Sequence, residues 1–487
     1  MLKFLIIKKV QRLKTICRLN QNQAKEKHNR EQPGYFYKFK IKELVIDRLK
    51  PKPNRMTAEQ NLQPTTTKER INSLDIIRGV ALFGILLMNI VGFGLFKAYL
   101  DPTNSGGATG WDLKAWWINN MFFEGTMRGL FSMLFGAGIV LFNSRTINGL
   151  PSITVTDAYF RRTLWLLLFG VIHAYLLLWA GEILFPYAVI GLIAYSFRNL
   201  NPKKLIIVGI CFSLGLSALN VKDYYKTEKA FTDYTTAVKV KSLTDTLDKK
   251  NKKAIDEWEI IVADKKATPE AYNDLKKEYN KSYFSIVWYR SAIIQIRQSL
   301  GVYRMWIWDV FSMVLLGMAF FKNGIFKAEK STRYYWIMLL AGYLVGVSVN
   351  YWETSYLMKH NFSIQAFYLT DITHELGRVP TTIGHIGFIM LLIKSGILPF
   401  LQRALAAVGQ MAFSNYIMHT IICITIFLGF GFGMWGKLQR HELYYIVFSI
   451  WIFQLIVSPL WLKYFRFGPL EWMWRSLTYW QRQPFKK

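Results

Sequence analysis

The chain has 487 residues, of which 52% are hydrophobic and 16% aromatic, and its formal net charge is +30. Apolar residues occur in long blocks of about 18 or more, the length that a bilayer core requires, which excludes an ordinary soluble globular protein. The basic residues cluster in loops and tails beside those blocks, so the positive-inside rule explains the charge without a nucleic-acid partner. Cys17, Cys211 and Cys423 form no CxxC pair, which argues against a disulfide framework and against a zinc site.

Residues 1–69 are basic and polar, and we expect this tail to be disordered or to lie on a membrane surface. Its first residues, MLKFLIIKKVQRLK, are too interrupted by lysine to supply the apolar core of a signal peptide. Met56 is a second candidate start of the protein. We therefore assign no function to the tail.

Ten apolar spans are predicted after the tail, at residues 73–96, 116–142, 162–180, 183–197, 204–219, 303–321, 334–351, 381–397, 410–433 and 442–462. Lys and Arg are concentrated in four connections and in the tail, namely 143–162, 198–204, 322–333, 394–403 and 463–487. Short loops rich in these residues stay in the cytoplasm. The sequence therefore predicts an all-α transmembrane helical bundle in the plasma (inner) membrane, with both termini cytoplasmic.

The apolar pattern is interrupted at residues 221–283, which separate a first transmembrane half (70–220) from a second (284–480), followed by a basic tail (481–487). Both charge signs occur at helical spacing in this insertion, and a long apolar face is missing, so we predict an extracytoplasmic helical segment. We interpret its lysines as a solvated face, not a binding patch. The next residues, FSIVWYRSAIIQIRQSL, form an amphipathic pattern that is expected to lie on the outer interface.

Charged residues within the first two spans are candidate functional groups, because an ionisable side chain in hydrocarbon is costly. Asp75 and Arg78 are three apart at the cytoplasmic mouth of the first span, where they either snorkel to the interface or form a donor-side gate or structural clamp. Glu124 and Arg128 are four apart and can pair on one helix face. Such a pair either holds the bundle together or binds substrate.

His173 and Glu182 flank the tight connection GVIHAYLLLWAGEIL between the third and fourth spans. A histidine can take a proton from a hydroxyl or an amine near neutral pH, and a nearby carboxylate would orient its ring. We therefore predict a general base and its orienting group here. The alternative is a histidine that makes only a hydrogen bond between helices.

Three further histidines carry weaker signals. His385 lies near the outer end of its span and is a second candidate for substrate binding, whereas His419 is expected to make a polar helix contact. His374 belongs to DITHELGRVP, a predicted loop whose HELGR lacks the HExxH spacing, so no metal site is predicted. P-loop, nucleophile-elbow and GxGxxG patterns are missing from the sequence, which leaves an ATP-driven transporter unsupported.

Five motifs together resemble the YeiB-type membrane proteins, the family labelled domain of unknown function 418. They run from Arg70 to Trp480 in this order: SLDIIRGVALFGILLMN, FFEGTMRGLFSMLFGAG, GVIHAYLLLWAGEIL, VGQMAFSNYIMHT and FGPLEWMWRSLTYW. The first motif is also similar to that of the heparan-α-glucosaminide N-acetyltransferases, which group with the acyltransferase-3 proteins. Asp75 and Arg78 match that motif, and Glu182 stands where the family more commonly has aspartate.

The resemblance implies a membrane acyltransferase that moves an acyl group from cytoplasmic acyl-CoA to a hydroxyl or amine acceptor, a sugar, glycan or lipid, at the outer face. It implies acyl-CoA as a donor substrate, without a permanently bound cofactor, and a homo-oligomer is compatible with it. The acetyltransferases carry a histidine after the first helix, and residues 96–116 contain none, which leaves His173 or His385 as its substitute.

Two other functions remain open from the sequence. The first is a transporter of a small or lipidic solute, because intramembrane acid–base pairs also form proton relays. The two transmembrane halves share no repeated motif, however, whereas many transporters contain such a repeat. The second is a non-catalytic scaffold that uses the insertion at 221–283 as a docking surface.

Overall fold

The computed structural model describes residues 70–147, 152–244 and 248–487. Within these ranges the chain is helical and contains no β-strand, only an isolated bridge between Phe465 and Lys486. The predicted all-α class is therefore confirmed. The predicted disordered tail at 1–69 lies outside the described residues.

The described chain contains, in order, α1 (Asn72–Gly94), α2 (Gly110–Phe122), α3 (Thr126–Ile147), α4 (Ser152–Tyr175), α5 (Leu184–Ala194), α6 (Pro202–Thr244), α7 (Lys249–Lys265), α8 (Pro269–Tyr279), α9 (Tyr283–Gln298), α10 (Ile307–Lys322), α11 (Thr332–Lys359), α12 (Ile364–Ser395), α13 (Pro399–Gln410), α14 (Ala412–Phe427), α15 (Arg440–Tyr464) and α16 (Pro469–Tyr479). A short 3₁₀ turn follows α5, and a π turn at Val302–Trp306 joins α9 to α10.

Polar caps fix several helix starts. The Ser331 and Ser363 hydroxyls accept backbone N–H groups in the first turns of α11 and α12. Gln439 and Glu442 form a reciprocal capping box at the start of α15. At the other end of α12, Gly396 adopts a left-handed conformation with φ of 66°, which ends the helix at Ser395.

Within residues 70–147, 152–244 and 248–487, six stretches of helix are long and apolar enough to cross a membrane. They are Asn72–Gly94, Gly110–Ser144, Pro202–Thr244, Tyr283–Lys322, Ile364–Ser395 and Arg440–Tyr464. A seventh is available if α13 and α14, which meet at 81°, act as one broken span. These helices identify a multi-pass membrane protein. The count of ten spans and the cytoplasmic placement of both termini stay predictions.

Two predicted spans differ from the observed helices. The span predicted at 116–142 is divided, because the chain turns at Gly125 with φ of 65° before α3 begins. The span predicted at 381–397 is only the second half of α12, which starts at Ile364 and continues through Pro380. The predicted loop DITHELGRVP is therefore helical; Glu375 and Arg378 are buried inside the bundle, whereas Asp371 is exposed.

Small residues bring α3 and α10 together in the core. A Cβ added to Gly136 would lie 2.9 Å from the backbone carbon of Val314, and one added to Gly317 would meet the backbone of Met133. Close backbone approach of this kind is how small residues stabilise helix pairs in membranes. The α3–α10 pair positions one side of the site described below.

Candidate functional site

A network of charged side chains lies between α3, α6, α10 and α12. Asp309 of α10 forms ion pairs with Arg128 of α3, at 2.8 Å, and with Arg378 of α12, at 2.6 Å. Arg378 also donates to Glu375, one turn away, and Glu375 accepts the Ser213 hydroxyl of α6 at 3.0 Å. Asp309 and Arg378 are each 1% exposed. Buried charges of this kind persist in proteins only where they are paired, as they are here.

Glycines make room for the Arg378 side chain. A Cβ at Gly125 would lie 3.2 Å from Cγ of Arg378 and still closer to its Cδ. A Cβ at Gly129 would lie 3.2 Å from Oγ1 of Thr382 and 3.5 Å from Nη1 of Arg378. The sequence FFEGTMRG therefore places a guanidinium against the backbone of α3, and its glycines are part of the site.

Glu124 and His374 form a second pair beside the buried network. Oε2 of Glu124 lies 3.1 Å from Nε2 of His374, and the two side chains are 11% and 29% exposed. On the preceding residue of α12, the Thr373 hydroxyl donates to Glu353 of α11 at 2.6 Å. The pair is thus a histidine and a carboxylate in contact, with the histidine still reachable from outside the bundle.

The predicted contact between Glu124 and Arg128 is replaced by two contacts with other helices. Glu124 sits in the turn before α3, because the helix breaks at Gly125, so the two residues do not follow one another on a continuous helix face. Arg128 pairs with Asp309 and Glu124 with His374. Both residues belong to the candidate site, with different partners from those expected.

Most of the residues that contact Glu124 and Arg128, or lie next to them in the network, are not evident from the sequence. His374, Glu375 and Arg378 belong to a segment with the sequence pattern of a loop, and the pattern does not single out Asp309 or Glu353. A signal was present for Asp309, since a lone carboxylate in MWIWDVFSMVLLGM is the kind of intramembrane charge that marks a site.

Asp75 holds two arginines at the start of α1. It accepts Arg70 Nε at 2.5 Å and Arg78 Nη1 at 2.9 Å, and Arg78 also reaches the Gly409 carbonyl at 3.4 Å. Gly79 and Gly409 let α1 and α13 cross closely, because a Cβ on either glycine would meet the backbone of the other helix. Asp75 and Arg78 therefore form a structural clamp between α1 and α13. Their alternative role as a gate on the donor side stays a prediction.

His173 and Glu182 have separate partners. Nε2 of His173 lies 2.8 Å from the Thr420 hydroxyl of α14, and the histidine is fully buried. Glu182 accepts two backbone N–H groups at the start of α5, at 2.7 and 3.0 Å, and the Gln298 amide at 3.1 Å. Among the hydrogen bonds of the described chain, none joins His173 to Glu182. The role of His173 as a base that Glu182 orients therefore stays a prediction, and the observed hydrogen bonds do not support it.

His385 and His419 each make a contact that joins two helices. His385 lies between the Tyr343 hydroxyl of α11 at 2.8 Å and the Phe122 carbonyl of α2 at 2.7 Å. Nε2 of His419 lies 3.0 Å from Oε1 of Gln454 in α15, which is the polar helix contact expected from the sequence. No cluster of three or more His, Cys, Asp or Glu suited to a metal ion occurs in residues 70–147, 152–244 and 248–487.

Comparison with known proteins places these features in one family. Residues 320–481 match the model of the family described as "Protein of unknown function (DUF418)". The chain is 31% identical to the uncharacterized protein YxaH of Bacillus subtilis (strain 168), an alignment that covers 88% of this chain and 98% of YxaH. It is 30% identical to the uncharacterized protein YeiB of Escherichia coli (strain K12), over 84% of this chain and 96% of YeiB. No solved structure matches the chain. The chain is a multi-pass membrane protein and belongs to the DUF418 family.

Proposed function

We propose that the chain is a transmembrane acyltransferase of the plasma (inner) membrane, in which Glu124 and His374 form the acid–base pair. The observation that carries the proposal is the 3.1 Å contact between Glu124 Oε2 and His374 Nε2, with the histidine 29% exposed. A base held by a carboxylate and open on one side is what proton abstraction from an acceptor requires. His173 is the runner-up for the base, and it is fully buried.

The reaction uses acyl-CoA as donor and a hydroxyl or amine as acceptor, from a sugar, glycan or lipid at the outer face. Nδ1 of His374 takes the acceptor proton while the acceptor oxygen or nitrogen forms a bond to the acyl carbon. The carbon–sulfur bond breaks, and the proton passes to the CoA thiolate. Glu124 stabilises the positive charge that develops on His374 during this step.

Arg128 is the side chain best placed to stabilise the negative charge on the acyl oxygen. Its side chain is 19% exposed, although the guanidinium is bound to Asp309 on one side. Asp309 and Arg378 are almost fully buried and hold Arg128 in position from behind. Preorganised charge of this kind supplies a large share of the rate in acyl transfer. Asp75, Arg78 and His385 lie outside this cluster, in contacts that hold helices together.

The activity is tested by the release of CoA thiol from acetyl-CoA by the purified full-length protein in lipid nanodiscs, with water taking the place of the acceptor hydroxyl. Loss of a general base lowers a reaction rate about 100- to 10,000-fold. The rate of CoA release by His374→Gln is therefore expected to decrease by a factor in that range, and the rate of Glu124→Gln by a smaller factor. His360→Gln is the matched control, because His360 is exposed at the end of α11 and stacks only on Tyr356. Full activity of His374→Gln contradicts the assignment, and a loss confined to His173→Gln moves the base to His173.

A second function is favoured by the buried network itself. Arg128, Asp309, Arg378 and Glu375 form a continuous chain of charges within the bundle, as proton-coupled transporters use. Proton flux into proteoliposomes, followed with an internal pH-sensitive dye, distinguishes this function from acyl transfer. Flux that is lost in Asp309→Asn, without CoA release by the wild type, supports a transporter.

A further inference from the structure

The insertion forms a helical hairpin that extends beyond the apolar part of α6. Charged residues begin at Lys222, and α6 then continues without a break to Thr244. At 1.5 Å per residue, Lys239 is about 25 Å further along the helix than Lys222. α7 returns along α6, and Trp258 of α7 packs against Phe231 at 5.0 Å and Tyr234 at 5.9 Å. This aromatic contact gives the hairpin a small core of its own.

The charges of the hairpin are sorted along its length. Its base carries three lysines and three acidic residues on α6: Lys222, Asp223, Lys226, Glu228, Lys229 and Asp233. Its tip, between residues 239 and 253, carries six lysines and two aspartates. Folding brings the lysines of both helices to the same end, namely Lys239, Lys241, Lys249, Lys250, Lys252 and Lys253. All six are exposed.

Acidic neighbours offset only part of this charge. Asp248, the N-cap of α7, accepts the Asn251 N–H at 2.8 Å and offsets one of the six positive charges. Lys253 lies 3.5 Å from Glu257, and both side chains are more than half exposed, so the pair is weak. The tip therefore carries a concentrated positive charge on two rigid helices.

We infer that this lysine tip, which the sequence pattern alone predicts to be a solvated face, binds a linear polyanion, a polymer with repeated phosphate, sulfate or carboxylate groups. With the bilayer surface at the level of Lys222, where the charged residues begin, the tip lies about 25 Å beyond it, whereas screening limits electrostatic attraction to about 8 Å at physiological ionic strength. A single small anion does not explain six lysines spread over two helices. A polymer contacts several lysines at once and gains free energy from the release of its counterions.

Dextran sulfate is the probe, with neutral dextran as its control, and the full-length protein is held in nanodiscs of neutral lipid. Binding is measured by fluorescence anisotropy between 50 and 200 mM salt, with about six contacts predicting a slope near −4 in a plot of log affinity against log salt. K249Q/K250Q/K252Q is expected to reduce the affinity about tenfold or more and the slope by about 2. The matched control K222Q/K226Q/K229Q removes the same three charges from the base and is expected to bind as the wild type does.

Equal losses in the two variants would mean that net charge alone attracts the polymer, and the inference fails. It fails too if neither variant changes the binding, or if the tip variant loses binding only to vesicles of phosphatidylglycerol and not to dextran sulfate. Glutamine keeps a high helix propensity, and circular dichroism with gel filtration verifies that both variants are folded.

Discussion

Nη1 of Arg378 lies 2.6 Å from Oδ1 of Asp309, and both side chains are almost fully shielded inside the bundle. The second oxygen of Asp309 is bound by Arg128, so one carboxylate holds two guanidinium groups from two other helices. Removing its charge leaves Arg128 without its buried partner and Arg378 with Glu375 alone, in a medium of low dielectric constant. The stability of the bundle around α3, α10 and α12 therefore depends on Asp309.

Asp309→Asn is expected to destabilise the protein by about 3–5 kcal/mol, the range for breaking a buried ion pair from one side. Thermal unfolding in detergent, followed by the fluorescence of a thiol-reactive dye, measures the loss. Asp157→Asn is the control, because the Asp157–Arg161 pair is exposed and is worth at most about 1 kcal/mol. Similar unfolding temperatures for the two variants would show that Asp309 does not hold the bundle.

Gly79→Ala is expected to destabilise the crossing of α1 and α13 by about 1–3 kcal/mol, the usual range for overpacking. A Cβ at this position would lie 3.1 Å from the Leu405 carbonyl carbon and 3.4 Å from the Gly409 nitrogen, so backbone must move. Gly138→Ala is the matched control within another helix, since nothing lies within 4 Å of its added Cβ. The same thermal measurement separates them, and an unchanged Gly79→Ala protein would contradict the close crossing.

Glu471 of α16 is predicted to make stability depend on pH. It accepts the Phe413 and Ser414 N–H groups at 2.7 and 3.0 Å, and burial raises its pKa above the ordinary value of 4.5. The folded state thus holds the proton more tightly than the unfolded state, and ionisation costs stability as the pH rises from 4.5 through the raised pKa. The wild type should therefore lose stability relative to Glu471→Gln over that interval.

Unfolding temperatures of both proteins at a series of pH values measure this difference. The Ser414 hydroxyl also donates to Glu471, at 2.6 Å, and Ser414→Ala serves as a control that removes a hydrogen bond without removing the titrating group. A constant difference between wild type and Glu471→Gln across the series would show that Glu471 does not titrate in this interval.

The predicted orientation of the chain can be measured with single cysteines in a background where the three native cysteines are serine. Lys250→Cys in the insertion is expected to react with a membrane-impermeant maleimide in intact cells. Lys487→Cys at the C-terminus is expected to react only after lysis, because the basic connections predict a cytoplasmic position for that end. The reverse pattern would invert the orientation, and labelling of both sites in intact cells would exclude the odd number of spans that the predicted topology places between the two sites.

Local sequence patterns predicted individual helices well. The first span was predicted at 73–96 and α1 runs from Asn72 to Gly94; the last was predicted at 442–462 and α15 runs from Arg440 to Tyr464. The break at Gly125 was missed because one glycine within an apolar segment is compatible with a continuous helix. The first half of α12 was not predicted to be helical because it contains several charged residues. Charged residues that are paired inside a bundle give the same sequence pattern as a polar loop.

The site was predicted only in part for a related reason. Glu124 and Arg128 stand out as charges in an apolar segment, and helical spacing suggested that they pair with each other. Their true partners, His374 and Asp309, come from other helices, and Asp309 is 181 residues from Arg128 along the chain. Spacing within one helix cannot reveal contacts that depend on how helices are packed.

The connection between α4 and α5, residues 176–183, depends on a helix that is synthesised later. Its irregular backbone carbonyls are satisfied by side chains of α9: Tyr283 donates to Leu176 at 2.5 Å, Arg290 to Leu178 and Arg297 to Ala180 at 3.5 Å. α9 leaves the ribosome roughly 100 residues after this connection, a delay of about 5–20 s at the usual elongation rate of about 5–20 residues per second. During that interval the carbonyls of the nascent connection lack these donors and need water or another donor, because an unpaired polar group is costly in hydrocarbon.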